Sequence, residues 1–344
     1  VLSAVQTLVI PRALPVSLTR SVFRAVRWVF EVTLRRSADF ERLDRRFAFY
    51  APVSLFVLVG VWLTVLLVAY SAMYWALHPG VWAAVSVSGS SLLTLGFDHP
   101  IGHAATLLSF TEASLGIGVL ALIITYLPSI YAAFQRREAL VALLEVRAGT
   151  PPWAVTMLER YQIIGLANRA NELWQVAEQW FADVEESHTS IGSLPFFRSP
   201  QPQLHWVTAA GAVLDAASLS MAALEGEPQP HAALCVRSGY LALRRIADFF
   251  GIPHDADPKP GDPISIRRDE FEAALDRLER VGAPVNPDRE QSWVDFVGWR
   301  VNYDTVLLTL AGLTLAPTAP WSSDRAIGGH RPPLKFRRRS KSTP

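Results

Sequence analysis

The chain has 344 residues, half of them apolar, and 32 lysines and arginines nearly cancel 31 acidic residues to leave a formal net charge of +1. Bulk charge therefore offers no electrostatic footprint for nucleic acid. The single cysteine, Cys235, excludes an intramolecular disulfide and fits a reducing compartment around it.

The first residues, VLSAVQTLVIP, read as the end of a hydrophobic segment that begins upstream, either a signal sequence or a further span. Residues 16–35 repeat Val22, Phe23, Val26, Val29, Phe30 and Leu34 at helical spacing, with arginines mostly on the other side. This pattern predicts a basic amphipathic helix: either it lies at a membrane surface, drawn to anionic lipid headgroups, or it packs on a soluble domain.

From Phe47 to Phe97 there is no Asp, Glu, Lys or Arg; after Asp98 the next charge is Glu112, and the next after that is Arg136. Two spans are predicted, about 51–77 and 104–134, each longer than the ~20 apolar residues that cross a bilayer. Arg45 and Arg46 precede the first and Arg136 and Arg137 come after the second, while the connection between them holds no Lys or Arg. The positive-inside rule then places both ends in the cytoplasm and the connection outside, in a multi-pass protein of the cell membrane. His78-Pro79-Gly80 breaks the first span, with His78 expected as a solvated loop residue. In the second span, Gly116, Gly118 and Pro128 mark either close helix packing or a gating hinge.

Between the spans, SGSSLLTLGFDHP (88–100) is polar and glycine-containing. Such backbone is tolerated at membrane depth only where protein buries it or where it lines a watery cavity. Residues 81–93 are long enough for a half-helix dipping into the membrane, and Thr94-Leu95-Gly96-Phe97 would return as extended backbone, a re-entrant loop. Glu112, the one formal charge inside the second span, reads either as a support hydrogen-bonded to the back of that half-helix or as part of an ion pathway.

Span, half-helix, T-x-G-[YF] and span in this order resemble the pore module of the two-span potassium-channel family over about residues 47–135, and the run Arg136-Arg137-Glu138 is similar to the segment just past the second span in small bacterial members. The resemblance implies a tetrameric pore in which the Thr94 hydroxyl and the Thr94, Leu95, Gly96 and Phe97 carbonyls coordinate a permeant monovalent cation, with no other cofactor. The family's second filter glycine is missing. Either Asp98 replaces it, or it is deleted and Asp98 is the acidic residue that attracts cations to the outer mouth. Potassium-selective and non-selective conduction both stay open, as does a non-conducting membrane-anchored sensor.

After Arg137 the chain turns soluble in character, with helices predicted near 137–147, 152–187, 206–224, 231–250, 268–281 and 289–316. The fold class expected is thus an all-α membrane protein: an N-terminal segment 1–46, a pore module 47–135, a helical cytoplasmic domain 136–320 with an unknown ligand, and a basic disordered tail 321–344. Thr305 to Ser323 lacks charge, but its apolar core is short and ends before Pro317 and Pro320, which predicts a buried core helix. Glu185, Glu186 and His188 are too few for a metal site and read as a solvated helix end. Cys235 reads as an inert core thiol, and Trp174, Trp180, Trp293 and Trp299 as core filling. No GxGxxG occurs, which argues against a Rossmann-type nucleotide-binding regulator, and no nucleophile constellation is detectable from residue order alone, so no enzyme activity is expected.

Overall fold

A computed structural model describes residues 17–34, 40–226 and 229–326. The proposed upstream hydrophobic segment, Arg35 and Arg36, and the basic residues from Arg331 to Lys341 lie outside the described residues. Every regular element described is helical, and among the described residues the β-contact is an isolated antiparallel bridge between Leu224 and Val285.

Three helices are long and apolar enough to cross a membrane: the one ending at Leu77, His103–Ala148, and Trp206–Ala223. They differ in what covers them. The most apolar windows of the first two are 22% and 17% buried, whereas that of the third is 94% buried inside the protein. Apolar side chains left uncovered over such lengths suit a lipid environment. The third helix is instead the centre of a packed core.

The chain forms two units. The first takes the described residues of 1–38, 45–132 and 190–197. Its helices are α1 (Ser17–Leu34), the end of α2 (Phe40–Phe47), α3 (Tyr50–Leu77), α4 (Val81–Leu92) and the start of α5 (His103–Ala148), which continues through Pro128 without interruption. Helix α1 packs on α3 through Val22 and Val26, with Phe23 and Phe30 edge-on to the Tyr50 ring at 6.3 and 6.0 Å. Arg27 departs from the predicted outward set of arginines. It is buried over the Phe47 ring and bonded to Glu31 at 2.8 Å. Trp28, Val29 and Val32 occupy an exposed face instead.

The second unit takes 40–44, 133–189 and the described residues from Arg198 onward. It contains the end of α5, then α6 (Ala154–Ile163), α7 (Ala170–Ser190), α8 (Trp206–Ala223), α9 (Pro230–Phe250), α10 (Arg268–Arg280), α11 (Arg289–Arg300) and α12 (Asp304–Thr314). Two predicted helices prove to be broken. The 152–187 prediction divides where Gly165 turns the backbone left-handed at φ 72°, and 289–316 divides at residues 301–303. Elsewhere the periodicity is obeyed: Phe271, Ala274, Leu275 and Leu278 form the buried stripe of α10. Gly251 closes α9 in the left-handed conformation, with Pro253 just beyond. Trp174, Trp180 and Cys235 are buried in the core, Trp293 and Trp299 pack against it, and α12 is a buried helix.

Helix α8 carries one charge, Asp215, which is 1% exposed. Arg300, fully buried, donates to Asp215 at 2.5 Å, to Asp304 at 2.7 Å and to the Trp321 carbonyl at 2.8 Å. Tyr303 donates to the same Asp215 oxygen at 2.9 Å. Burial alone would lower the Arg300 pKa, but the two carboxylates outweigh it and hold the guanidinium protonated, above its ordinary value. Removing one member strands the other in a medium that cannot solvate it. Arg300→Leu is therefore expected to destabilise the domain by about 3–5 kcal/mol, and Asp215→Leu/Arg300→Leu by clearly less than the two single changes summed. Urea unfolding of the full chain in detergent, monitored by tryptophan fluorescence, measures both.

Candidate functional site

The residues between the two long apolar helices make a compact reversal. Gly80, at φ 146°, starts α4, and His78 is exposed, with its Nε2 2.8 Å from the Ile101 carbonyl. At the other end, three amides fold back onto α4. Leu93 bonds to the Gly89 carbonyl at 3.2 Å, Thr94 to Ser91 at 3.1 Å and Leu95 to Ser90 at 2.8 Å. The chain then returns, and the Asp98 amide donates to the Ser90 hydroxyl at 3.1 Å. Thr94 to Phe97 is thus a short loop tied at both ends to one turn of helix.

Within it, Thr94 and Gly96 both lie in the left-handed region, at φ 55° and 71°. For glycine this costs nothing. For a β-branched residue it is a true outlier, of the kind that persists only where the surroundings over-determine it. Asp98 does not adopt positive φ. Its backbone is held by Ser90, and its carboxylate accepts from the His99 amide at 3.0 Å. The residue therefore does not take over the conformation of a filter glycine. Leu93, Leu95 and Phe97 are 50%, 61% and 64% exposed in the single chain.

Behind α4 lies a buried polar cluster. Ser88 donates to Glu112 Oε1 at 2.5 Å and also lies 3.1 Å from the Leu67 carbonyl. Glu112 is fully buried, and its second oxygen has no hydrogen-bond partner. Ser91 and Ser109 share a bond of 2.8 Å, and outside the buried part, at an exposed edge, Tyr70 donates to Thr111 at 3.1 Å. Tyr74 packs beside them with Ala84 and Ala105. The role of each serine is not evident from the sequence read residue by residue. The signal lies in their spacing, since positions 88, 90 and 91 of one helix point to different sides and each needs a partner.

Of the candidate hinge residues, Gly116 lies where α5 crosses the end of α4, so that a Cβ there would collide with the Leu92 carbonyl. A Cβ on Gly118 would meet nothing. Pro128 lies inside α5. Among the described residues no group of three or more His, Cys, Asp or Glu is placed to hold a metal ion. The Glu185, Glu186 and His188 expectation needs correction, because His188 is fully buried rather than solvated.

Compared with family models, curated proteins and solved structures, the chain matches none.

The two glycines supply a contrast. Gly116→Ala drives a Cβ into the Leu92 backbone and is expected to destabilise the protein by about 1–3 kcal/mol. Gly118→Ala is expected to be neutral or to stabilise by up to about 1 kcal/mol, the helix propensity difference. Thermal melts of the purified variants in one detergent compare the two directly.

Proposed function

We propose that the chain is a subunit of a pore-loop cation channel, built as a homotetramer around the Thr94–Phe97 loops. The observation that carries this reading is the paired left-handed backbone at Thr94 and Gly96, held in a loop whose two ends are bonded to α4. Alternating handedness lets successive peptide planes turn their carbonyls to one side, and four such loops around an axis could replace the hydration shell of a monovalent cation. The exposed Leu93, Leu95 and Phe97 are the surface that such a ring would cover. In this reading α3 and α5 span the cell membrane, both flanks are cytoplasmic, the loop faces outside and α1 meets anionic lipid. Glu112 braces α4 through Ser88, a ring of Asp98 carboxylates draws cations to the outer mouth, and Gly118 and Pro128 are the positions where α5 can flex, Gly116 being packed against Leu92 instead.

The likeness of TLGF to the potassium-channel filter makes potassium the first choice of ion. A non-selective cation pore is the second reading, favoured by the missing second glycine and by an Asp98 backbone that does not adopt its conformation.

Flux of potassium and of sodium from liposomes holding the purified protein tests both, together with native mass in detergent. A tetramer that passes potassium is expected. Gly96→Asp places an L-residue where left-handed backbone costs about 1–2 kcal/mol, enough to lower flux about five- to thirtyfold. A monomer, or a Gly96→Asp variant with unchanged flux, would overturn the assignment.

A further inference from the structure

Within the second unit, α9 stops at Gly251, and the loop after it, IPHDADPKPGDP (252–263), lies against the break between α11 and α12. Arg244 of α9 fastens the two together. Its Nε and Nη2 donate to the Asn302 carbonyl and Oδ1 at 2.9 and 3.1 Å, and its Nη1 donates to the Ala256 carbonyl at 3.1 Å. Between loop and break remains a cavity of about 170 Å³. That is below the ~300 Å³ at which drug-sized ligands are held, so it suits a small molecule. Pro258, Pro263, Val301 and Val306 give it apolar walls that can take methylene groups.

The polar groups lining it are mainly acceptors. The His254 side chain is 9% exposed, with Nδ1 3.4 Å from the Ile252 carbonyl and 3.9 Å from the Asp248 carboxylate. Facing two acceptors, Nδ1 carries the ring proton, which leaves the Nε2 lone pair to the cavity that the ring lines. Among the described residues nothing bonds to Nε2. Asp255 and Asp262 add carboxylates, each aimed by a backbone amide: Asp257 donates to Asp255 at 2.9 Å, and Lys259 to Asp262 at 2.8 Å. A carboxylate has about four lone-pair sites, so both keep capacity for further donors.

Donors are scarce by comparison. The Asn302 amide nitrogen is spent on the Gly298 and Trp299 carbonyls, and the Tyr303 hydroxyl on Asp215. Pro258 and Pro263 have no N–H, and Thr305 can act either way. The loop carries three aspartates against one lysine, and that lysine, Lys259, is exposed and paired with Asp257 at 2.5 Å. Such a lining repels an anion and calls for a ligand that gives several protons. The imidazole and the two carboxylates are not placed to close on one metal ion, so the donor must be broader than a point charge. An alkylguanidinium offers five N–H donors in a rigid plane and is more weakly hydrated than an ammonium.

We propose that this cavity binds a short alkylguanidinium, its methylenes between the proline and valine walls and its planar head shared among His254, Asp255 and Asp262. The site lies wholly within the second unit and does not rest on the channel reading.

Hydrogen exchange on the full chain in lipid nanodiscs at pH 7.5 and constant ionic strength, titrated with butylguanidinium, tests it. The Asp257, Lys259 and Asp262 amides bond within the loop and report on it. A saturable slowing is expected, with a Kd of about 1 mM or tighter, reaching about tenfold at a ligand concentration of ten times Kd. Butylurea, the uncharged isostere, should bind at least about tenfold more weakly. In Asp255→Asn/Asp262→Asn, where each Asn keeps an oxygen for its amide, affinity should also fall by about tenfold or more. No slowing of the loop, equal binding of butylurea, or unchanged affinity in the double variant would each overturn the proposal. Should the double variant not fold, the comparison of the two probes on the unmutated protein still decides.

Discussion

A hydroxyl or amide inside an apolar layer has to find its partner within the protein, and α4 is arranged around that requirement. At 3.6 residues per turn, Ser90 and Ser91 point roughly 200° and 300° around the helix from Ser88. Ser88 reaches the Leu67 carbonyl of α3 and the Glu112 carboxyl of α5, Ser90 holds the returning Asp98 backbone, and Ser91 bonds to Ser109. Bonds leaving on three sides fix the helix against rotation about its own axis. The handedness of Thr94 and Gly96 depends on this, because the loop hangs from the last turn of α4. Gly116 adds a steric limit, letting α5 approach to the distance at which the Leu92 carbonyl closes the gap.

The second unit meets the same requirement with charge. Helix α8 is lined almost throughout by small and aliphatic residues, which would pack in several registers against its neighbours. The Asp215 carboxylate selects one, since Arg300 must reach it together with Asp304 and the Trp321 carbonyl, and Tyr303 must reach the same oxygen. Ser265 then bonds to Asp304 at 2.6 Å, bringing the loop before α10 into the network. Each polar group in this core is a constraint on the position of another helix.

The long apolar helices, α4 and α8 to α10 were legible from charge-free runs, Pro and Gly stops, and 3.6-residue periodicity, all of which are local signals. The breaks at Gly165 and at residues 301–303 were not, because each separates two stretches of equally good helical pattern and only packing reveals the change of direction. His188 misleads for a related reason. Glu185 and Glu186 before it suggest a solvated end, yet Ala177, Phe181, Val184 and His188 keep the i, i+4, i+7, i+11 rhythm of the buried face. The periodicity held the answer, and the neighbouring charges masked it. A bond from Glu112 to the back of α4 was among the readings of its lone charge, but Ser88 lies 24 positions away and no spacing rule within one helix could name it as the partner.

Helix α8 poses a problem before any of this packing exists. It emerges from the ribosome after two strongly hydrophobic segments and is long and apolar enough to be taken for another by the insertion machinery. A carboxylate near its midpoint opposes transfer into lipid by about 3 kcal/mol, a penalty that applies to the nascent segment long before Arg300 is synthesised. Asp215 thus carries a cost for lipid before it has a partner, and anchors a core once Arg300 reaches it.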